Sequence, residues 1–300
     1  MRVVFMGTPE YATKILQGIE EHVVALVTQP DKPVGRKQIL TPPHTKAYVL
    51  ERSLDIPILQ PQSLKDKSVI ERIASFKPDF IVVAAYGKIL PKEILDLAPC
   101  INLHASLLPR YRGASPIQQA LLEGERYSGV TAMLMDEGLD TGDILAYEVV
   151  GIEEDDNAIT LFEKLAKVAG DLTPMVLERF SSIKPLAQHD VDATYCKKIR
   201  KSDGLVDFDD AVKIYNKYRA FILWPGVYLE SGLKLKQIEL YDRERAGVPG
   251  RIRGIEAEGV LVECEKGSLL VKRVQPPSKK EMDALSYIRG KRLEVGDTLL

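Results

Sequence analysis

Cysteine is scarce in this chain, with three in 300 residues, Cys100, Cys196 and Cys264. They are odd in number and far apart, which excludes a disulfide framework, and none sits in a Cys-x-x-Cys pair that would suggest zinc or redox chemistry. The four histidines, His22, His44, His104 and His189, are equally scattered. No spacing gathers them as ligands on one helix face, so no metal is expected. Long apolar runs are missing too. The longest, such as Phe80-Ile-Val-Val-Ala-Ala85, fall far short of the roughly 18 residues a spanning helix needs, and no membrane segment is expected. Met1-Arg-Val-Val-Phe-Met-Gly7 enters a strand-like pattern directly, without the apolar stretch and cleavage site of a secretory signal, so the expected location is the cytosol. Also absent is the Gly-x-Gly-x-x-Gly fingerprint of dinucleotide folds. The first strand ends instead in Gly7-Thr-Pro-Glu10, which disfavours a nicotinamide cofactor.

What is present suggests two domains, because single hydrophobic cores stop growing at about 250–300 residues. The net charge of −2 is unevenly spread. Residues 1–196 hold 20 Lys and Arg against 27 Asp and Glu, a balance of −7, whereas residues 197–300 hold 21 against 16, a balance of +5. A basic second half points to a polyanionic partner, although an ordinary solvated surface is compatible with the same balance.

Residues 2–7, 23–28 and 80–85 are short, Val/Ile-rich and almost continuously apolar, with helical patterns at Tyr11–Glu20 and Lys65–Phe76 between them. That alternation predicts an α/β domain with a mostly parallel, Rossmann-like sheet. Pro9 and Glu10 suit the first turn of a helix. Gln29–His44 carries four prolines, no periodicity, and the cations Lys32, Arg36 and Lys37. It reads as a long surface loop without regular structure, functional or passive. Residues 129–135 and 144–150 read as antiparallel neighbours, and Ala158–Phe180 as a long amphipathic helix. A polar stretch punctuated by Pro185 and Gly204 is expected to link the domains, giving 1–184, a linker 185–204, and 205–300. In the last, a helical segment (Asp209–Phe221) precedes several short strands with turns at Ser231-Gly232, Val248-Pro-Gly250, Glu258-Gly259 and Lys266-Gly267, the spacing of a small C-terminal β-barrel. Trp224, beside Pro225 and Gly226, reads as a core plug, with a stacking element as the alternative.

The candidate site centres on Cys100–Ile144. Asn102 and His104 are two residues apart at the end of an apolar run, so in a strand they project from one face. A neutral amide donor beside a titratable imidazole, joined by a carboxylate, can move protons and hold a developing oxyanion. Asp140 lies in the acidic, glycine-broken stretch Asp136–Asp143, where Asp136 and Asp143 read equally well as turn residues. The loop Ser106–Gly113 and a helix-like run Ala114–Leu122 follow His104, as ligand-holding loops follow strand ends in α/β proteins. Tyr86-Gly-Lys-Ile-Leu-Pro91 closes another strand. With Ser106, Leu107, Leu108 and Pro109 it is expected to form a concave wall of mixed apolar and backbone character.

Asn102-Leu-His104 with Ser106-Leu-Leu-Pro109-Arg, Gly138-Leu-Asp140-Thr-Gly-Asp143 and Phe5-Met-Gly-Thr-Pro-Glu10 together resemble the folate-dependent formyltransferases. The resemblance spans essentially the whole chain. Thr28–Lys37 is similar to an insertion that contacts tRNA in the branch of the family whose acceptor is initiator methionyl-tRNA, and the C-terminal hundred residues favour the same branch. The resemblance implies 10-formyltetrahydrofolate as formyl donor, the α-amino group of methionine on initiator tRNA as acceptor, and an oligonucleotide-binding-like (OB-like) barrel. Asn102, His104 and Asp140 match the family's catalytic residues. Tyr86, Gly87, Ile89 and Ser106–Pro109 fall where the pterin binds, and Arg36, with Lys37 beside it, where the acceptor stem is gripped. A monomer is expected. The alternatives are a formyltransferase acting on an amino-sugar nucleotide, a 10-formyltetrahydrofolate hydrolase, and a folate- or RNA-binding module without activity.

Overall fold

The structure, a computed structural model, describes residues 1–35 and 37–299. The chain divides into two compact units. The first comprises residues 1–116, 126–152 and 161–197, the second 117–125, 153–160 and 198–300. Residues 185–197, within the stretch expected to act as a linker, are part of the first unit.

In chain order the elements are β1 (Val3–Gly7), α1 (Glu10–Ile19), β2 (Val23–Val27), β3 (Lys32–Val34), β4 (Ile39–Thr41), α2 (His44–Glu51), β5 (Ile58–Leu59), α3 (Lys67–Ser75), β6 (Phe80–Ala84), α4 (Lys92–Leu95), β7 (Cys100–His104), β8 (Arg112–Gly113), α5 (Pro116–Leu122), β9 (Tyr127–Leu134), β10 (Ile144–Gly151), α6 (Ala158–Arg179) and β11 (Tyr195–Cys196). The main sheet of the first unit has the order β10-β9-β7-β6-β1-β2-β5. Strands β1, β2, β5, β6 and β7 are parallel, β9 runs antiparallel to β7, and β10 runs antiparallel to β9, the neighbour relation their patterns led one to expect. Every residue of β1 is buried, which explains why the sequence there is uninterrupted Val-Val-Phe-Met-Gly rather than alternating.

From β1 the chain moves outward through β2 to β5, then returns to β6 and β7 on the other side. The winding direction therefore reverses between β1 and β6, and the carboxyl ends of these strands open the crevice where open α/β sheets hold ligands. Gly7 ends β1 at this point. A Cβ there would lie 2.5 Å from the Ala12 Cβ, so glycine is what lets α1 start so close to the strand. Further along α1, Gly18 faces the backbone of Gly170 on α6, where a Cβ would be 2.6 Å from the Gly170 carbonyl oxygen. Pro174, inside α6, has no N–H for that carbonyl.

The segment Gln29–His44 departs from expectation. Instead of an irregular loop, β3 and β4 form a two-stranded hairpin with Pro33 opposite Leu40. Both strands are edges, the setting in which proline is admitted to a sheet. The hairpin's root is pinned. Lys46 donates to both Asp31 carboxylate oxygens at 2.9 and 2.8 Å, and Gln60 donates to Asp31 Oδ1 at 2.7 Å. Those Gln60 and Lys46 contacts hold the Asp31 carboxyl below its ordinary range.

The second unit continues with α7 (Ala211–Ala220), β12 (Val227–Tyr228), β13 (Lys234–Ala246), β14 (Ile252–Glu256), β15 (Gly259–Glu263), β16 (Lys266–Gln275), β17 (Met282–Asp283) and α8 (Ala284–Lys291). The expected short strands form an antiparallel sheet in the order β12-β13-β16-β15-β14, with β17 also on β16. Four register shifts bend β13 along β16. Its core includes Phe208, Ile214, Leu235, Ile252, Val262, Leu269, Val271 and Ile288. Asp210 caps α7 by accepting from the Val212 and Lys213 amides. From the same helix, Asn216 donates to the Leu122 carbonyl and Arg219 to the carbonyls of Glu153, Glu154 and Asp156. Trp224, read as a core plug, is instead 55% exposed. Among the described residues no helix is long and apolar enough to cross a membrane.

Candidate active site

Asn102 and His104 stand at the carboxyl end of β7, between β6 and β9. In a strand otherwise made of Cys, Ile and Leu they are the two polar side chains, and alternation puts both on one face. Asp140 arrives from the connection between β9 and β10, in a left-handed conformation (φ +53°) that Asp tolerates better than most residues. The space inside this bend is tight. A Cβ on Gly142 would lie 1.7 Å from the Leu134 carbonyl oxygen.

The three side chains meet. Asp140 Oδ2 accepts a hydrogen bond from the Gly113 amide at 2.8 Å and lies 3.8 Å from His104 Nδ1, while Oδ1 accepts from Asn102 Nδ2 at 3.5 Å. His104 and Asp140 side chains are only 7% and 13% exposed, so their interaction is little screened. The other imidazole nitrogen, Nε2, is 2.9 Å from the Tyr111 carbonyl oxygen. A carbonyl only accepts, so Nε2 carries the hydrogen and Nδ1, facing Asp140, is the atom left to gain or lose a proton. Tyr111 is itself in a left-handed conformation (φ +61°), which turns its carbonyl back to the histidine.

Behind the trio, β8 pairs with β11, and Cys196 Sγ lies 3.4 Å from the same Tyr111 carbonyl. Burial pushes the Cys196 thiol up, so it stays protonated and donates. Beside β11, Gln188 donates through Nε2 to the carbonyls of Asp140 (3.0 Å) and Gly142 (2.7 Å), and its Oε1 accepts from Arg112 Nε at 3.0 Å. This is a preorganised amide, imidazole and carboxylate around one point, the arrangement acyl transfer uses.

Two family descriptions match the chain, "Formyl transferase" over residues 1–177 and "Formyl transferase, C-terminal domain" over residues 198–292. A methionyl-tRNA formyltransferase from Nitratiruptor sp. is 65% identical over 300 residues, covering 99% of both chains, and one from Sulfurimonas denitrificans is 56% identical over 303 residues, covering 100% of both. The chain belongs to the methionyl-tRNA formyltransferase family. Among solved structures, an N-formyltransferase from Helicobacter canadensis, in complex with folinic acid and dTDP-3-aminofucose, superposes with a TM-score of 0.66 at 18% identity, covering 90% of this chain and 98% of that one. At that identity the likeness concerns the fold.

For this formyltransferase-family chain, the residues expected to line the donor pocket divide into two groups. Ile89 is 82% exposed, and it lies with Gly87 in the loop that leaves the carboxyl end of β6, where Ala85 and Gly87 take positive φ. Tyr86 packs into the core, and burial pushes its phenol up to about 12. Ser106 is buried. Its hydroxyl donates to the Arg110 carbonyl at 2.6 Å and its own carbonyl accepts from Thr131 at 2.7 Å. Leu107 lies over Gly129, while Leu108 clusters with Met133 and Ile144 and its amide donates to Thr131 Oγ1 at 3.1 Å. Pro109 follows a cis peptide, and its carbonyl accepts from the Thr194 amide. Tyr86, Ser106 and Leu108 are thus buried, and Leu107 and Pro109 half-buried. Lys37 is exposed in the turn of the β3–β4 hairpin, and Arg36 lies outside the described residues. Sequence reasoning missed Tyr111, Gly113, Arg112 and Gln188. The two arginines flanking Tyr111 were the available hint.

Proposed function

We propose that this chain transfers the formyl group of 10-formyltetrahydrofolate to the α-amino group of methionine on initiator tRNA. The observation that carries the reading is the meeting of Asn102, His104 and Asp140 at the carboxyl end of β7. In this reading the methionyl nitrogen bonds to the formyl carbon, the bond from that carbon to the donor nitrogen breaks, and the proton lost by the amine ends on the departing nitrogen. A free α-amine has a pKa near 7.7–8.0, so part of the acceptor is already neutral at cellular pH. Asn102 Nδ2 donates to the formyl oxygen as it becomes an oxyanion. His104, held through Nε2 by Tyr111, uses Nδ1 to take and return the proton, and Asp140 stabilises the imidazolium.

The folate ring is placed against the loops Ala85–Pro91 and Ala105–Pro109. Gly87 and Ile89 would face it directly, while Tyr86, Ser106, Leu107, Leu108 and Pro109 supply the shape of the wall. The acceptor stem is assigned to the β3–β4 hairpin with Lys37 in its turn, to Arg36, which precedes Lys37 in sequence, and to the C-terminal region from about 198 onward, where the chain is basic. The test is a formyl-transfer assay that offers methionyl-tRNA, uncharged tRNA, an amino-sugar nucleotide and small amines in parallel. Formylation confined to methionyl-tRNA is the expected outcome. Preference for the sugar, or donor hydrolysis that ignores every amine, would overturn it.

A further inference from the structure

We infer that Gln188 is a positioning residue for Asp140 and that Arg112 sets the orientation in which it works. This inference rests on Asp140 being catalytic, as proposed above. Asp140 sits in a left-handed bend whose backbone needs outside support, because that conformation is uphill for any residue but glycine. Gln188 supplies it with two N–H groups, one on the Asp140 carbonyl at 3.0 Å and one on the Gly142 carbonyl at 2.7 Å. An amide could equally turn its oxygen inward, which would set it against two carbonyl oxygens. Arg112 prevents this. Its guanidinium can only donate, and Nε reaches Gln188 Oε1 at 3.0 Å, so the oxygen is held outward and the nitrogen inward. Arg112 is almost fully buried and is anchored in turn by Asp190 at 2.9 Å and the Tyr195 hydroxyl at 3.4 Å. The segment 188–195, far from the site in sequence, thus fixes where the Asp140 carboxylate meets His104.

Displacing a positioned group by about 1 Å can cost on the order of 100-fold in rate, so Gln188→Ala should lower kcat about 10- to 100-fold while KM for donor and tRNA stays within about twofold. The discriminating measurement is a cycle with Asp140→Asn. If Gln188 acts only through the carboxylate, Gln188→Ala should cost less than about twofold in the Asp140→Asn background. A loss that multiplies in full would overturn the inference. Gln188→Glu provides a second arm with shape and the Arg112 contact retained. At pH 8 a carboxylate beside a guanidinium is ionised and opposes both carbonyls, so this variant should match Gln188→Ala, and wild-type turnover from it would refute the proposed orientation. Unchanged activity in Asp140→Asn alone would instead count against the reading of the active site, which keeps the two failures apart.

Discussion

Replacing Asp140 with Asn removes one charge and little else. Asn adopts the left-handed conformation at φ +53° about as readily as Asp, and the side chain is nearly isosteric. What disappears is a negative charge 3.8 Å from His104 Nδ1. At that separation the attraction for an imidazolium is about 1 kcal/mol in a water-like dielectric and about 4 kcal/mol at an effective constant of 20. Side-chain exposures of 7% and 13% place the pair toward the larger value. At 1.36 kcal/mol per tenfold, kcat should fall about 100- to 1,000-fold. A further penalty is geometric. Gly113 N–H and Asn102 Nδ2 both donate to this carboxylate, and an amide has a single oxygen to offer them, so its NH₂ must face one donor. Single-turnover formylation of methionyl-tRNA, with donor affinity measured separately and the melting temperature held within about 4 °C of wild type, isolates the chemical step. A fall in kcat smaller than about fivefold would refute the role given to Asp140.

Gly142→Ala places a methyl 1.7 Å from the Leu134 carbonyl oxygen, so the bend must move. A loss of both turnover and thermal stability is expected, the latter read by calorimetry as about 1–3 kcal/mol. The contacts from Gln60 and Lys46 that depress the Asp31 carboxyl make it a stabilising group present above its unfolded pKa of about 3.9 and lost as pH falls through the lower folded value. Carboxyl titration by NMR should show Asp31 below the ordinary range, and Lys46→Met should raise it. Arg36→Ala is expected to weaken use of methionyl-tRNA, with donor affinity unchanged and the log–log salt slope flattened by about 0.7–0.9 per lost phosphate contact, measured by filter binding. Arg36→Lys should restore only part of it, since an ammonium cannot grip phosphate bidentately.

The buried parallel strands were legible because nearly uninterrupted Val/Ile runs have few other uses, and Asn102 and His104 were legible as a pair because a strand's period of two is strict. The hairpin at Lys32–Thr41 was hidden by Pro33, which lowers any strand reading although two edge strands accommodate it. Ser106 and Leu108 were expected along the pocket wall and turned out to face inward, because loops have no period from which a side chain's direction can be read. Gln188 and Arg112 lie 76 residues apart and meet only through the pairing of β8 with β11. Nothing local to either residue announces that contact.

The second unit is assembled from three separate stretches of chain, and this limits how the protein can be altered as a whole. Cutting after residue 197 would remove the side chains of Asn216 and Arg219, leaving the carbonyls of Leu122, Glu153, Glu154 and Asp156 without the donors that now meet them. Grafting residues 198–300 onto another catalytic half would bury the Arg219 guanidinium against whatever that half carries at the two matching insertions. The C-terminal region is therefore not a portable module. Exchange between relatives should succeed only when residues 117–125 and 153–160 travel with it, and the three stretches of sequence that meet there are bound to change together.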